Sequence, residues 1–178
     1  ATGILGSQYV KYLSSLGASV VIGDVALGRC KELSEKINGS GYESYPMTID
    51  NTDEECIVNF FSEIKKRYSR LDVLINNAQV KPEGFFASFE NYSKETLNEV
   101  LNGNLVGVTL ACREACKIFL EQGSGVIVNV ASVYGIIAAD QRIYEKVENI
   151  YSPGEKFSSP VSYAISKAGV VQLTKYLA

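Results

Sequence analysis

ILGSQYVKYLSSLGASVVIGDV, residues 4–25, contains the unit from which the whole chain is built. Its first part, 4–16, places Leu5, Tyr9, Val10, Leu13 and Leu16 on one helical stripe. Gly17 ends that helix, because a residue without a β-carbon enters the left-handed region freely. Residues 18–25 then form a short, unbroken apolar run rich in valine, the pattern of a strand buried on both faces. A helix leading into such a strand is the repeating element of parallel α/β sheets.

The alternation continues outward from this stretch. Residues 26–38 read as helix with charges on one side, and 42–49 as strand. DEECIVNFFSEIKKRY, 53–68, is an amphipathic helix whose acids come first and bases last, which suits the helix dipole. LDVLIN, 71–76, is another buried strand, followed by a loop with Pro82 and Gly84. A long helix is expected from Ser93 to Gln122, with Ser93 as N-cap and Thr96 at the third helical position. GVIVNVAS, 125–132, is a further buried run; 135–160, with Pro153, Gly154 and Pro160, is a long, partly ordered insertion; 161–177 is helix. These elements predict an α/β protein: a Rossmann-type doubly wound parallel sheet in three α/β/α layers, as one domain over 1–178. The expected fold is truncated at both ends, lacking the first strand and the C-terminal strands.

Composition narrows the chemistry. Hydrophobic residues at 46% against 21% charged residues supply a core. A net charge of −3, mixed along the chain, gives no footprint for nucleic acid. The absence of histidine excludes imidazole bases, His-based triads and His-ligated metals. Cys30, Cys56, Cys112 and Cys116 form no CxxC pair, so they read as reduced packing thiols and no metal site is expected. No apolar run reaches the ~20 residues of a membrane span and no signal peptide opens the chain, so a cytoplasmic location is expected.

Two local patterns carry chemistry. ATGILGS presents the backbone of Gly3, Ile4, Leu5 and Gly6 at a helix start, where amides favour a pyrophosphate; a plain turn reads the same way. Asp24, about twenty residues on at a strand end, would accept hydrogen bonds from ribose hydroxyls and repel a 2′-phosphate, favouring NAD over NADP. A strand-end turn aspartate is the plainer alternative. At the other end, SYAISKAG puts Tyr163 and Lys167 one turn apart on one helix face. A phenol with an ordinary pKa of ~10 is a poor base, and a neighbouring ammonium favours its phenolate. Such a pair can exchange a proton with an alcohol or carbonyl oxygen, and Ser132, ending a buried strand, can hold that oxygen. Alone, Tyr-x-x-x-Lys is also an ordinary surface pair.

Over nearly its whole length the sequence resembles the short-chain dehydrogenase/reductase family. INNAQ (75–79) is similar to that family's NNAG, NGNLVG (102–107) to its asparagine motif, NVASVYG (129–135) to its serine motif and YAISK (163–167) to its tyrosine-lysine motif. Asp50 with Asn51 matches its acidic position at the adenine. The resemblance implies Tyr163 as acid/base, Ser132 as the group positioning the substrate oxygen, and Lys167 as the cation beside the phenol that also holds the nicotinamide ribose. It also implies Asn104 as the residue ordering a proton-relaying water, and Asn77 and Ala78 beside the cofactor. Hydride would pass between nicotinamide and a secondary alcohol or ketone.

Three departures stand out. Ile4 replaces the middle glycine of the family's turn, Gln79 replaces the last glycine of NNAG and would crowd the cofactor or aim an amide at it, and thirty residues separate Ser132 from Tyr163. The extra segment carries Tyr144, Tyr151 and Phe157, and an insertion of this length is usually functional or disordered. SVYGIIAADQRIYE resembles members of bacterial flagellin-modification and surface-sugar pathways, which implies a sugar or sugar-nucleotide substrate, with Tyr134, Arg142 and Lys156 as candidate contacts. A loop that merely covers the site is the alternative. Competing functions are an epimerase or dehydratase of nucleotide sugars with tightly held NAD, and a non-catalytic nucleotide sensor. Helix 93–122 and the last helix, with Ala164, Ala168, Gly169 and Val171, resemble the helices through which family members pair, implying a homodimer or homotetramer.

Overall fold

The computed structural model describes residues 1–178 apart from 151, 152 and 155, so Tyr151 lies outside the described residues. It divides into two compact units: Ala1–Ala78 with Leu110–Val128, and Gln79–Thr109 with Asn129–Ala178.

In the first unit, α1 (Ile4–Ser15) follows Gly3 and closes before Gly17, which adopts φ 87° as its sequence position implies. β1 (Val20–Asp24), α2 (Leu27–Gly39) and β2 (Ser44–Thr48) form a strand-helix-strand unit, with β1 and β2 parallel and Val20 opposite Ser44 through Asp24 opposite Thr48. Val10, Ile22, Cys30 and Ile37 fill the space between these elements. α3 (Glu54–Tyr68) begins where the Asp53 carboxylate accepts the Cys56 amide at 3.1 Å, and its acids and bases sit at the ends that favour them. Its face of Ile57, Phe60, Phe61 and Ile64 packs on Ala111, Ala115 and Ile118 of α5 (Gly107–Gln122). β3 (Val73–Asn76) and β4 (Val126–Asn129) make a second sheet.

The alternation of helices with parallel strands is the expected α/β architecture, the described strands pairing as β1 with β2 and β3 with β4. One expectation needs correction: not all the apolar runs are buried on both faces. In β3, Leu74 packs toward the α3–α5 core while Val73 is exposed, and in β4 Val126 and Val128 are exposed. Successive side chains on a strand point to opposite faces, so a continuous apolar run does not guarantee a layer on each side.

In the second unit, α4 (Lys94–Leu101) starts at Ser93, whose hydroxyl accepts the Thr96 amide at 3.0 Å. The long helix expected from Ser93 to Gln122 is interrupted: Asn102–Val106 forms a π-turn before α5 begins. One extra residue in the hydrogen-bond ladder rotates the side chains there out of the regular register, a feature found often at functional sites. α6 (Val161–Leu177) follows Pro160 and packs closely on the π-turn, since a β-carbon on Gly169 would stand 2.7 Å from a Leu105 methyl. Gly169 therefore serves packing within the unit rather than presenting a bare face for pairing.

Candidate functional site

The second unit gathers Ser132, Tyr163, Lys167 and Asn104. Tyr163 and Lys167 stand one turn apart on α6, with the Lys167 Nζ 5.8 Å from the centre of the Tyr163 ring. Lys167 is buried, and its Nζ donates to the Val130 carbonyl at 2.6 Å, just beyond β4. Burial pushes its pKa below the ordinary lysine value. Five residues later the chain meets α6 again: a β-carbon on Gly135 would lie 2.7 Å from the Lys167 carbonyl, so only glycine allows this approach. Ser132 lies between these two contacts, in a segment held to α6 at both ends. Its Oγ accepts the Tyr134 amide at 3.2 Å, which orients the lone pairs and leaves the hydroxyl proton available to an acceptor.

Asn104 occupies the middle of the π-turn, 1% exposed. Its Oδ1 accepts the Val80 amide at 2.6 Å and its Nδ2 donates to the Val80 carbonyl at 3.1 Å. Both ends of the side-chain amide thus hold the backbone after β3, which leaves one amide proton and one lone pair for a water.

The first unit holds the residues expected at a cofactor. Gly3 caps α1 without a side-chain hydrogen bond, so the amides of the first turn meet no capping side chain. Gly6 is buried against the chain start, where a β-carbon would stand 2.3 Å from the Ala1 carbonyl oxygen. Ile4 and Leu5 are exposed, and Ile4 is the first residue of ordinary right-handed helix, so its lack of glycine freedom costs nothing here. Asp24 Oδ2 accepts from the Thr2 amide and hydroxyl, each at 2.9 Å, and Oδ1 accepts the Ala26 amide at 3.1 Å. Burial raises the pKa of this carboxyl, and the hydrogen bonds from Thr2 and Ala26 lower it. Asp50 Oδ1 accepts the Thr52 amide and hydroxyl, forming a turn ahead of α3. Asn51 and Asn77 are half-buried, and Ala78 is exposed. Gln79 is exposed as well.

Several described residues of the insertion make defined contacts. The Tyr134 and Tyr144 hydroxyls are 2.6 Å apart, and Tyr144 stacks toward Phe157 with centroids separated by 5.2 Å. Arg142 is exposed and ion-paired with Asp140 at 2.7 Å, so its charge already has a partner. Lys156 is exposed, and its backbone bridges that of Glu148.

Sequence reasoning missed the hydroxyl pair of Tyr92 and Ser162, 2.6 Å apart, which fixes the first turn of α6 beside Tyr163. The residue immediately before the catalytic-type tyrosine was the available signal. Among the described residues no group of acidic, cysteine or histidine side chains is placed to hold a metal ion, and no helix is long and apolar enough to cross a membrane.

A parallel strand-helix-strand unit opening on a glycine turn, followed by a tyrosine-lysine helix, defines the Rossmann-type α/β class. Within it, the chain belongs to the short chain dehydrogenase family, whose model matches residues 1–144. Among curated relatives it is 29% identical, over 98% of its length, to a 3-oxoacyl-[acyl-carrier-protein] reductase of Thermotoga maritima, and 30% identical, over its full length, to an NAD-dependent glycerol dehydrogenase of Listeria innocua. An actinorhodin polyketide ketoreductase crystallised with NADPH is similar with a TM-score of 0.82 at 25% identity over 99% of this chain. The chain spans 62%, 60% and 60% of the length of these three proteins.

Proposed function

We propose that the protein containing this chain is an oxidoreductase that uses NAD to interconvert a secondary alcohol and its ketone. The two units then belong to one NAD(P)-binding Rossmann domain. The observation that carries the reading is the buried Lys167, held to Val130 one turn from Tyr163, with the Ser132 segment pinned to the same helix on either side.

The residues fit a nicotinamide dinucleotide. The first-turn amides of α1 around Gly3, Ile4, Leu5 and Gly6 suit a pyrophosphate. Asp24 retains acceptor capacity on Oδ1 for a ribose hydroxyl, and its negative charge disfavours the 2′-phosphate of NADP. Asp50, Asn51, Asn77 and Ala78 complete the nucleotide contacts, with Tyr163 and Lys167 at the nicotinamide ribose. The bound nicotinamide supplies the hydride acceptor or donor.

The protein's own groups manage the proton. In the oxidative direction the Ser132 hydroxyl donates a hydrogen bond to the substrate oxygen, its own acceptor position being taken by the Tyr134 amide. The Tyr163 phenolate takes the hydroxyl proton, and the Lys167 charge stabilises the anion from within a water-poor site. Asn104 holds a water with its remaining amide proton and lone pair, passing the proton outward.

The pattern SVYGIIAADQRIYE and the polyol-oxidising relative support a sugar or sugar-nucleotide substrate, met by Tyr134, Arg142 and Lys156. A cytoplasmic homo-oligomer completes the proposal. The test is a screen of the full-length protein against glycerol, xylitol, ribitol and sugar phosphates, with NAD and NADP side by side, following absorbance at 340 nm. Tyr163→Phe is expected to lose turnover by ~10²–10⁴-fold, far more than it weakens NADH binding. Turnover that survives this substitution ends the assignment, and a preference for NADP removes the role given to Asp24.

A further inference from the structure

A chain of thirty residues between two reacting groups is a loose tether, and the structure bypasses it. Tyr134, two residues after Ser132, meets the Tyr144 hydroxyl at 2.6 Å. Three residues before Tyr144, the Gln141 amide grips the backbone of Ser159: the Ser159 N–H donates to Oε1 at 3.0 Å, and Nε2 donates to the Ser159 carbonyl at 3.2 Å. Ser159 is buried and directly precedes Pro160, the N-cap of α6. Gln141 to Tyr144 is a single 3₁₀ turn, started by Asp140, whose carboxylate accepts the Arg142 amide at 3.0 Å. The route from Ser132 to Tyr163 therefore runs through Tyr134, one short turn and Ser159. Beyond the turn, the Glu148 and Lys156 backbones pair in an antiparallel bridge. Ring packing of Tyr144 on Phe157, and of Phe157 on Phe86 at 5.2 Å, backs the turn from behind.

We propose that Gln141 and Tyr144 are positioning residues, clamping the Ser132 segment and the start of α6 in one arrangement. The proposal rests on the reading of Ser132 and Tyr163 as the reacting pair. Neither clamp residue touches the reacting atoms; each acts through a neighbour, Tyr144 through Tyr134 and Gln141 through Ser159. The physical effect is a shorter loop closure. Two hydrogen-bonded bridges remove most of the conformational freedom of the intervening chain, and a misplacement of about 1 Å between reacting groups costs on the order of 10²-fold in rate.

The experiment is hydrogen–deuterium exchange on the full-length protein and on Tyr144→Phe, Gln141→Ala and the double variant, which needs no substrate. Tyr144→Phe retains the ring that packs on Phe157 and removes only the hydroxyl. Each variant is expected to speed amide exchange in both 130–135 and 159–167 by roughly 5–10-fold, with the NADH dissociation constant unchanged. With the polyol that the wild type oxidises fastest, kcat falls about tenfold at constant KM, and the double variant loses less than the product of the singles because both bridges serve one device. Gln141→Glu, which retains the acceptor and loses the donor, falls between wild type and alanine. Ile143→Ser, in the same turn but exposed, leaves exchange and kcat at the wild-type values. Wild-type exchange in either segment of the Tyr144→Phe or Gln141→Ala protein overturns the proposal, as does an equal loss in Ile143→Ser. If the exchange result holds while Tyr163→Phe still turns over, the clamp stands and the redox reading fails. The reverse pattern removes the clamp alone.

Discussion

The two units are built from different materials. The first is held by apolar packing: Ile22, Cys30 and Ile57 are completely buried, and the α3–α5 interface is lined with isoleucine, phenylalanine and alanine. Buried polar groups make up a larger share of the second, among them Asn104, Asn149, Ser159, Ser162, Ser166 and Lys167, although the first also buries Ser14, Ser34, Ser44 and Glu114. A buried polar group stabilises only if its partners are in place, so the second unit depends more on hydrogen bonds and the first more on shape and area. Chemistry that must position a proton to a fraction of an ångström is served by the second kind of material. Recognition of a nucleotide by backbone amides needs only a rigid frame, which the first kind provides.

The sharpest test of this contrast lies in the apolar unit. Ile57 is completely buried at the centre of the α3 face. Ile57→Ala is expected to cost ~2–5 kcal/mol by removing buried methylenes and leaving a cavity, read from the urea midpoint of the full-length protein. A cost below 1 kcal/mol would mean that this unit is not held by its core, and the comparison would break on its first side.

The polar unit predicts a different signature, non-additivity. Tyr92 Oη donates to the Phe85 carbonyl at 3.2 Å, so its single proton is engaged and Ser162 must donate to it. Burial raises the Tyr92 pKa, opposed by the Ser162 hydrogen bond, so the phenol stays neutral through the working range. Ser162→Ala or Tyr92→Phe alone strands a buried partner and is expected to cost ~1–3 kcal/mol. The double variant should cost less than the sum, because no orphan remains. Strict additivity in the thermal melts would show that the pair contributes nothing as a pair.

The same difference in material decides what was legible in the sequence. α3 and α6 are written locally: Asp53 ahead of two glutamates, a lysine-arginine finish, and a proline before the tyrosine helix all act within one turn. Tyr163 and Lys167 were legible for the same reason, since helical spacing alone puts them on one face. The π-turn was not, because one added residue in a hydrogen-bond ladder leaves no mark in propensity, and Asn104 owes its inward position to it. The grip of Gln141 on Ser159 joins residues eighteen apart through a side-chain amide, which no periodicity encodes. Gly169 looked like part of a small-residue face for assembly, yet Leu105 fills its place. Small residues record a close approach without naming what approaches.

The finest test concerns Lys167, where the two kinds of material meet in one side chain. Its aliphatic stem is buried, and its ammonium gives up water for a single carbonyl partner, which depresses its pKa below 10.5. The unfolded chain therefore binds more protons than the folded one between the depressed value and 10.5, so wild-type stability rises as pH climbs through that window. Lys167→Met retains most of the stem volume, loses the charged Val130 hydrogen bond worth about 1.5–3 kcal/mol, and removes the burial penalty on the charge. At pH 7 the variant should lie within about 1 kcal/mol of wild type, even as turnover is lost. By pH 10 the wild type no longer carries that penalty in full, so the variant should have become the relatively weaker protein. Urea titrations of both proteins at pH 7 and pH 10 decide it. A stability difference that does not move with pH would mean the ammonium is already well solvated, and the buried cation would have to be withdrawn from the account of the Tyr163 phenolate.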